Sequence, residues 1–197
     1  KGTALYTSTF TRPTIRFDLR DNELKLTKTA GKSFYETDKA KNDVNTVLHI
    51  SPGVGDSEVI KDISMYNRSI TPSGHTFISS SMTVSGAAGI YFDGTGDYLT
   101  IPSSADFGFG TGDFTIEFWF QYTGATTYPY LLDGRTAGAN GLFPSIYLRS
   151  DDGYKPAFYT NASQRIASSV GCSIDTWYHL AIARTGGTTT MYLNGTS

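Results

Sequence analysis

The chain has 197 residues, a formal net charge of −2 and a sequence pI of about 5.9. That length suits one sizeable β-domain, or one domain with an appendage, and the charge offers no basic field for nucleic acid. Only four Glu accompany 21 Gly, 13 Tyr and 12 Phe, a mixture suited to short strands and tight turns rather than helices, so an all-β fold is expected.

No apolar run approaches the length of a membrane-spanning helix, and no signal-peptide pattern is visible, so no membrane insertion is expected. Cys172 is the single cysteine, which leaves no intrachain disulfide. No His and acid pattern surrounds it, so it reads as a small packing residue.

Taken in chain order, residues 1–14 (KGTALYTSTFTRPT) alternate enough for an edge strand over Ala4–Phe10, with Leu5 opposite Tyr6 and Phe10. Residues 15–45 are charged: the first 45 positions hold 15 of the 34 acidic and basic side chains. Arg16–Leu26 could supply a strand or two, and Lys25–Lys41 reads as a solvated linker or extended arm. From residue 46 onward charge is sparse and short apolar runs alternate with turn signals. Strands are expected at Val47–Ile50, His75–Ser79, Met82–Ser85, Gly89–Phe92 and Tyr98–Ile101. The clearest is Phe114–Tyr122, where Phe114, Ile116, Phe118, Phe120 and Tyr122 share one face and Thr115, Glu117, Trp119 and Gln121 the other. Tyr130–Asp133, Ser145–Arg149, Pro156–Thr160 and Arg165–Val170 follow. Trp177–Arg184, Gly186–Gly187 and Thr189–Leu193 read as a hairpin, and Asn194–Gly195 as one more turn. This spacing points to an antiparallel two-sheet jelly-roll sandwich over residues 46–197, with an N-terminal extended arm.

Catalytic patterns are thin. Retaining glycoside hydrolysis needs two carboxyl groups about 5 Å apart, and Glu117 is the only carboxylate on its strand. His49, His75 and His179 lack metal-ligand spacing. No nucleophile elbow or phosphate-cradling loop occurs. The three N-x-S/T sites at Asn67, Asn161 and Asn194 are given no functional weight. The expectation is a non-enzyme.

Tyr91–Tyr122 (YFDGTGDYLTIPSSADFGFGTGDFTIEFWFQY) and Trp177–Gly195 (WYHLAIARTGGTTTMYLNG) resemble the laminin G-like branch of the concanavalin A-like lectin and glucanase superfamily. The likeness spans roughly residues 47–195. The glucanases' E-x-D-x-x-E type run is absent. Residues 1–14 resemble the closing segment of the same module as it recurs in tandem in virion structural proteins of marine bacteriophages. The resemblance implies a chain that opens in the tail of one repeat and stops before the closing strands of the next. It implies a virion-surface module for assembly and display, with other copies or other virion proteins as oligomeric partners.

The alternative is a lectin-like adhesion module for host-surface glycans. Exposed aromatic faces with polar neighbours suit sugars, and Tyr128, Tyr130 and Arg135 fit that recipe, as do Tyr154 and Tyr159. Against it, most tyrosines of a sandwich are half-buried packing residues. Related domains often hold calcium near the rim in oxygen-rich loops. The resemblance makes Asn140, in the loop Asp133–Asn140, the nearest match to part of that site. Asp93 and Asp97 form a second candidate pair, although Asp-Gly turns are usually only turns.

Overall fold

The computed structural model describes residues 44–52, 59–84, 87–124, 128–135, 144–160 and 163–197, together with the backbone of strand Leu24–Thr27. The all-β expectation holds: the described residues form antiparallel strands with two one-turn 3-10 segments, Ala105–Phe107 and Ser150–Asp152, and no α-helix. No helix among them is long and apolar enough to cross a membrane.

In chain order the strands are β1 (Leu24–Thr27), β2 (Leu48–Ser51), β3 (Lys61–Asp62), β4 (Thr71–Ser73), β5 (Phe77–Val84), β6 (Ala87–Tyr91) and β7 (Tyr98–Thr100). They continue with β8 (Phe114–Gln121), β9 (Tyr130–Asp133), β10 (Ser145–Arg149), β11 (Lys155–Thr160), β12 (Ser163–Ala167), β13 (Trp177–Thr185) and β14 (Thr188–Leu193). A six-stranded sheet has the order β14-β13-β8-β1-β2-β3, and a four-stranded sheet the order β12-β11-β10-β9. Two pairs, β4 with β7 and β5 with β6, stand apart. The chain divides into two compact units, Lys1–Trp119 with Ala183–Thr188, and Phe120–Ile182 with Thr189–Ser197.

In the first unit, β1 pairs with both β2 and β8, overlapping the strand expected within Arg16–Leu26 and running one residue beyond it. The edge strand expected over Ala4–Phe10 lies outside the described residues. Phe114, Ile116 and Phe118 are buried as the alternation predicts, yet Thr115 and Glu117 are buried too, each 5 % exposed. A strand interior to its sheet and covered on both faces reads as near-continuous burial, not as alternation. His75–Ser79 and Met82–Ser85 prove to be largely one strand, β5, whose register with β6 shifts between Ser79 and Val84.

Beside β2, the buried Asp62 carboxylate accepts hydrogen bonds from the backbone N–H groups of His49 (3.0 Å), Ser64 (2.9 Å) and Arg68 (2.8 Å). Three donors on one carboxylate fix the loop after β3 against β2, because each buried N–H needs an acceptor. The same loop carries Arg68, which meets Asp106 at 2.5 Å and lies 4.3 Å from the Tyr66 ring centre. Sequence alternation misses β3 and β4, since a two-residue strand and one containing Pro72 carry no periodic signal.

The second unit contains the four-stranded sheet, and its register sorts the side chains into two faces. Ile146 opposite Phe158 and Leu148 opposite Pro156 form the inner face, with Ile146 and Leu148 fully buried. Leu132 and Ile166 extend it on β9 and β12. Tyr130, Tyr147, Tyr159 and Gln164 fall on the other face. In the same unit, Asn194 at φ 51° follows β14 and ties back to β13: its Oδ1 accepts from His179 N at 2.8 Å, and its own N–H donates to His179 O at 2.8 Å. His179 thus sits in a structural tie.

Candidate functional site

The outward face of the four-stranded sheet is built from every second side chain of each strand, because successive residues of a strand alternate sides. Tyr130 on β9 is the cross-strand partner of Tyr147 on β10, with ring centres 5.2 Å apart. Tyr159 on β11 stands diagonally across from Tyr147 at 5.5 Å. Tyr128, just before β9, meets the Tyr147 ring edge-on at 5.8 Å. Tyr147 is therefore the centre of a row crossing three neighbouring strands. Burial, first, and then Tyr159 hold the Tyr147 hydroxyl well above its ordinary range, so it stays a neutral donor and acceptor.

Tyr130 and Tyr128 keep 48 % and 39 % of their surface exposed, while Tyr147 and Tyr159 are half-buried. Tyr128 is held at φ 53°, a left-handed conformation that a bulky residue rarely adopts. The chain accepts that conformation immediately before Pro129, where it delivers the ring to Tyr147.

Charged groups flank the row. Arg135 lies over the Tyr130 ring at 4.8 Å and forks onto Asp133, with Nε and Nη2 each 2.8 Å from a carboxylate oxygen. Burial pushes the Asp133 carboxyl up, but the Arg135 side chain, backbone N–H and charge outweigh this and leave it below its usual range. At the other end of β10, Arg149 forks onto Asp151 at 3.4 and 3.1 Å and reaches Asp152 at 3.5 Å. Lys155 adds a 2.8 Å bond to Asp152. The Asp151 carboxyl is lowered, chiefly by the Arg149 side chain. Ringed by such pairs, the tyrosines form a ridged aromatic surface, its rings inclined at 42° to 72° to one another, with hydrogen-bonding groups at its margins. That combination suits a polyhydroxylated ligand with apolar C–H faces.

Three of the sequence candidates, Tyr128, Tyr130 and Arg135, thus come together, and Asn140 lies outside the described residues. Tyr159 joins them, whereas Tyr154 stacks on Tyr122 at 4.7 Å. Sequence reasoning missed Tyr147, Arg149 and Asp133. The signal was available in the alternation of Ser145–Arg149, whose odd positions face the same way as Tyr130 once the register is known.

The pair Asp93 and Asp97 also comes together, in the first unit, and His75 joins it; one ligand atom from each lies within 4.8 Å of the others. Backbone donors already occupy these oxygens. Asp97 accepts from His75 N and Asp93 N, both at 2.6 Å, and Asp93 Oδ1 accepts from Thr95 N at 2.7 Å. The remaining Asp93 oxygen faces His75 Nδ1 at 3.2 Å. Calcium takes six to eight oxygens, so a cluster of two engaged carboxylates and an imidazole does not fit it. The Thr95 N–H is the largest influence on Asp93 and lowers its carboxyl. Asp97 is a tie between the β4–β5 turn and the β6–β7 loop.

Glu117, the remaining carboxylate of interest, is buried in β8. Residues 93–197 match the laminin G-type family described as the concanavalin A-like lectin/glucanases superfamily, a span that contains the whole tyrosine face. No curated protein and no solved structure matches the chain. With more than half of its length covered by that match, the chain belongs to the concanavalin A-like lectin/glucanases superfamily.

Proposed function

We propose that this chain is a non-enzymatic carbohydrate-binding module whose tyrosine face on β9, β10 and β11 receives a glycan. The observation that carries the reading is the row Tyr130–Tyr147–Tyr159, bordered by the fork pairs Arg135–Asp133 and Arg149–Asp151. Aromatic faces stack on sugar C–H surfaces, and the pairs hold donors and acceptors still for hydroxyls. Glu117 is the only carboxylate on β8, whereas retaining hydrolysis needs two carboxyl groups about 5 Å apart, and this argues against glucanase chemistry. The two larger antiparallel sheets support the finer assignment of a jelly-roll sandwich.

The proposed setting is the surface of a bacteriophage virion, where tandem copies of the module display this face and adhere to host glycans. Support for that setting is the likeness of residues 1–14 to the closing segment of such repeats. A particle map with this chain in a repeated array would bear on the setting alone.

Titration against a glycan panel, with and without a chelator, tests the binding function. Saturable binding that Tyr130→Ala weakens and the chelator leaves intact is expected. Absence of binding to every glycan would overturn it. Release of reducing ends from a β-glucan, abolished in Glu117→Gln, would overturn the non-enzymatic part.

A further inference from the structure

The charges around the tyrosine row bear on which glycans the face can accept, and this step rests on the binding function proposed above. Among the described residues three cations border the row, Arg135, Arg149 and Lys155, and each is already held by a carboxylate. Arg135 spends both fork positions on Asp133 at 2.8 Å. Arg149 is shared by Asp151 and Asp152, and Lys155 bonds Asp152 at 2.8 Å. Three cations against three carboxylates leave the margin of the row with no net charge. An incoming carboxylate or sulfate would have to displace a resident Asp from its guanidinium, and meet a second Asp nearby. It would exchange one ion pair for another and gain little.

The row also has a direction. Tyr130, Tyr147 and Tyr159 sit on three successive strands, and strands lie about 4.8 Å apart, so the rings span roughly 10 Å across the sheet. Ring centres 5.2 and 5.5 Å apart, with planes inclined at 42° and 50°, give a stepped row of three ring faces rather than a single one. Such a strip is longer than one sugar ring, and Tyr130 at its end is 48 % exposed among the described residues.

We infer that the face selects an uncharged, extended oligosaccharide lying across β9, β10 and β11, and discriminates against acidic glycans. Hydroxyls are the groups the margin can satisfy, since the outer lone pairs of the paired carboxylates and the hydroxyls of the tyrosines remain usable. Chain length matters because each added sugar gains another ring to stack on until the strip is filled.

The test is an array of neutral and acidic oligosaccharides of increasing length, probed with the full chain at about 0.05 and 0.5 M salt. Neutral oligomers are expected to gain about tenfold in affinity from the monosaccharide to the length that fills the strip, and then level off. Their binding should change little with salt. In Asp133→Asn, Arg135 loses its opposite charge, and acidic oligomers should gain about tenfold over their binding to the unaltered chain, a gain that high salt removes. Preference of the unaltered chain for acidic oligomers would overturn the selectivity and leave the glycan-binding function standing. Equal affinity for a monosaccharide and for long oligomers would overturn the extended mode alone. No binding to any member would overturn the function itself.

Discussion

Tyr130 and Tyr147 are partners across β9 and β10, one ring half exposed and the other half buried, with centres 5.2 Å apart. The two substitutions at this pair therefore separate binding from folding. Tyr130→Ala removes an exposed ring and is expected to weaken glycan affinity by about tenfold, with a stability loss below about 1 kcal/mol. Tyr147→Ala removes the ring that three other tyrosines touch, and should cost about 2 kcal/mol of stability as well as binding. Titration calorimetry and denaturant midpoints on both variants read the two effects.

Asp62 accepts from three backbone donors in a buried position. Asp62→Ala strands those donors and should destabilise the protein by about 3 kcal/mol, a sizeable share of the stability of an ordinary domain. A large fall in the denaturant midpoint is the expected reading. A change within about 0.5 kcal/mol would show that other groups hold the loop after β3.

Gly74 turns at φ 68°, and a Cβ there would run into Asp97 Oδ1. Gly74→Ala is expected to destabilise by about 1–2 kcal/mol through both strain and displacement of that carboxylate. Asp97→Ala should lose a similar amount by freeing the same turn. Because both act on one contact, the double variant should fall short of the sum of the single losses when all three are unfolded in denaturant.

The Asp133 and Asp151 carboxyls are lowered in the folded chain. A lowered carboxyl adds stability that is fully present above its unfolded value of about 4, and that is lost as pH falls through the folded value. Stability and neutral-glycan binding should therefore stay flat with respect to these groups from about pH 8 to 5. Below about pH 4 both pairs loosen and binding declines. A decline beginning near pH 6.5 would instead point to a histidine.

Cys172 is buried, and that burial pushes its thiol up to about 12. The native chain should resist thiol-directed reagents at pH 8, since almost no thiolate is present, and react only after denaturant is added. Rapid labelling of the native chain would mean that the surrounding loop opens readily.

The sequence made some of this legible and hid the rest for physical reasons. Phe114–Tyr122 announced a strand because five large apolar residues fall at every second position. The burial of Thr115 and Glu117 was hidden, since a covered second face is a property of the surrounding chain and not of the strand. Tyr128, Tyr130 and Arg135 were legible as candidates by being close in sequence. Tyr147 and Tyr159 join them through cross-strand register alone, which no local pattern reveals. His75 reaches Asp93 and Asp97 in the same way, across two turns brought together by Asp97 itself.

The order β12-β11-β10-β9 places each strand beside its neighbour in sequence. Such a meander has low contact order, so little loop entropy is lost before its contacts form. The six-stranded sheet differs, because β1 is paired on one side with β2 and on the other with β8, far downstream. The tyrosine row is thus carried on strands whose pairing needs only short loops to close, whereas the place of β1 between β2 and β8 needs a long-range one.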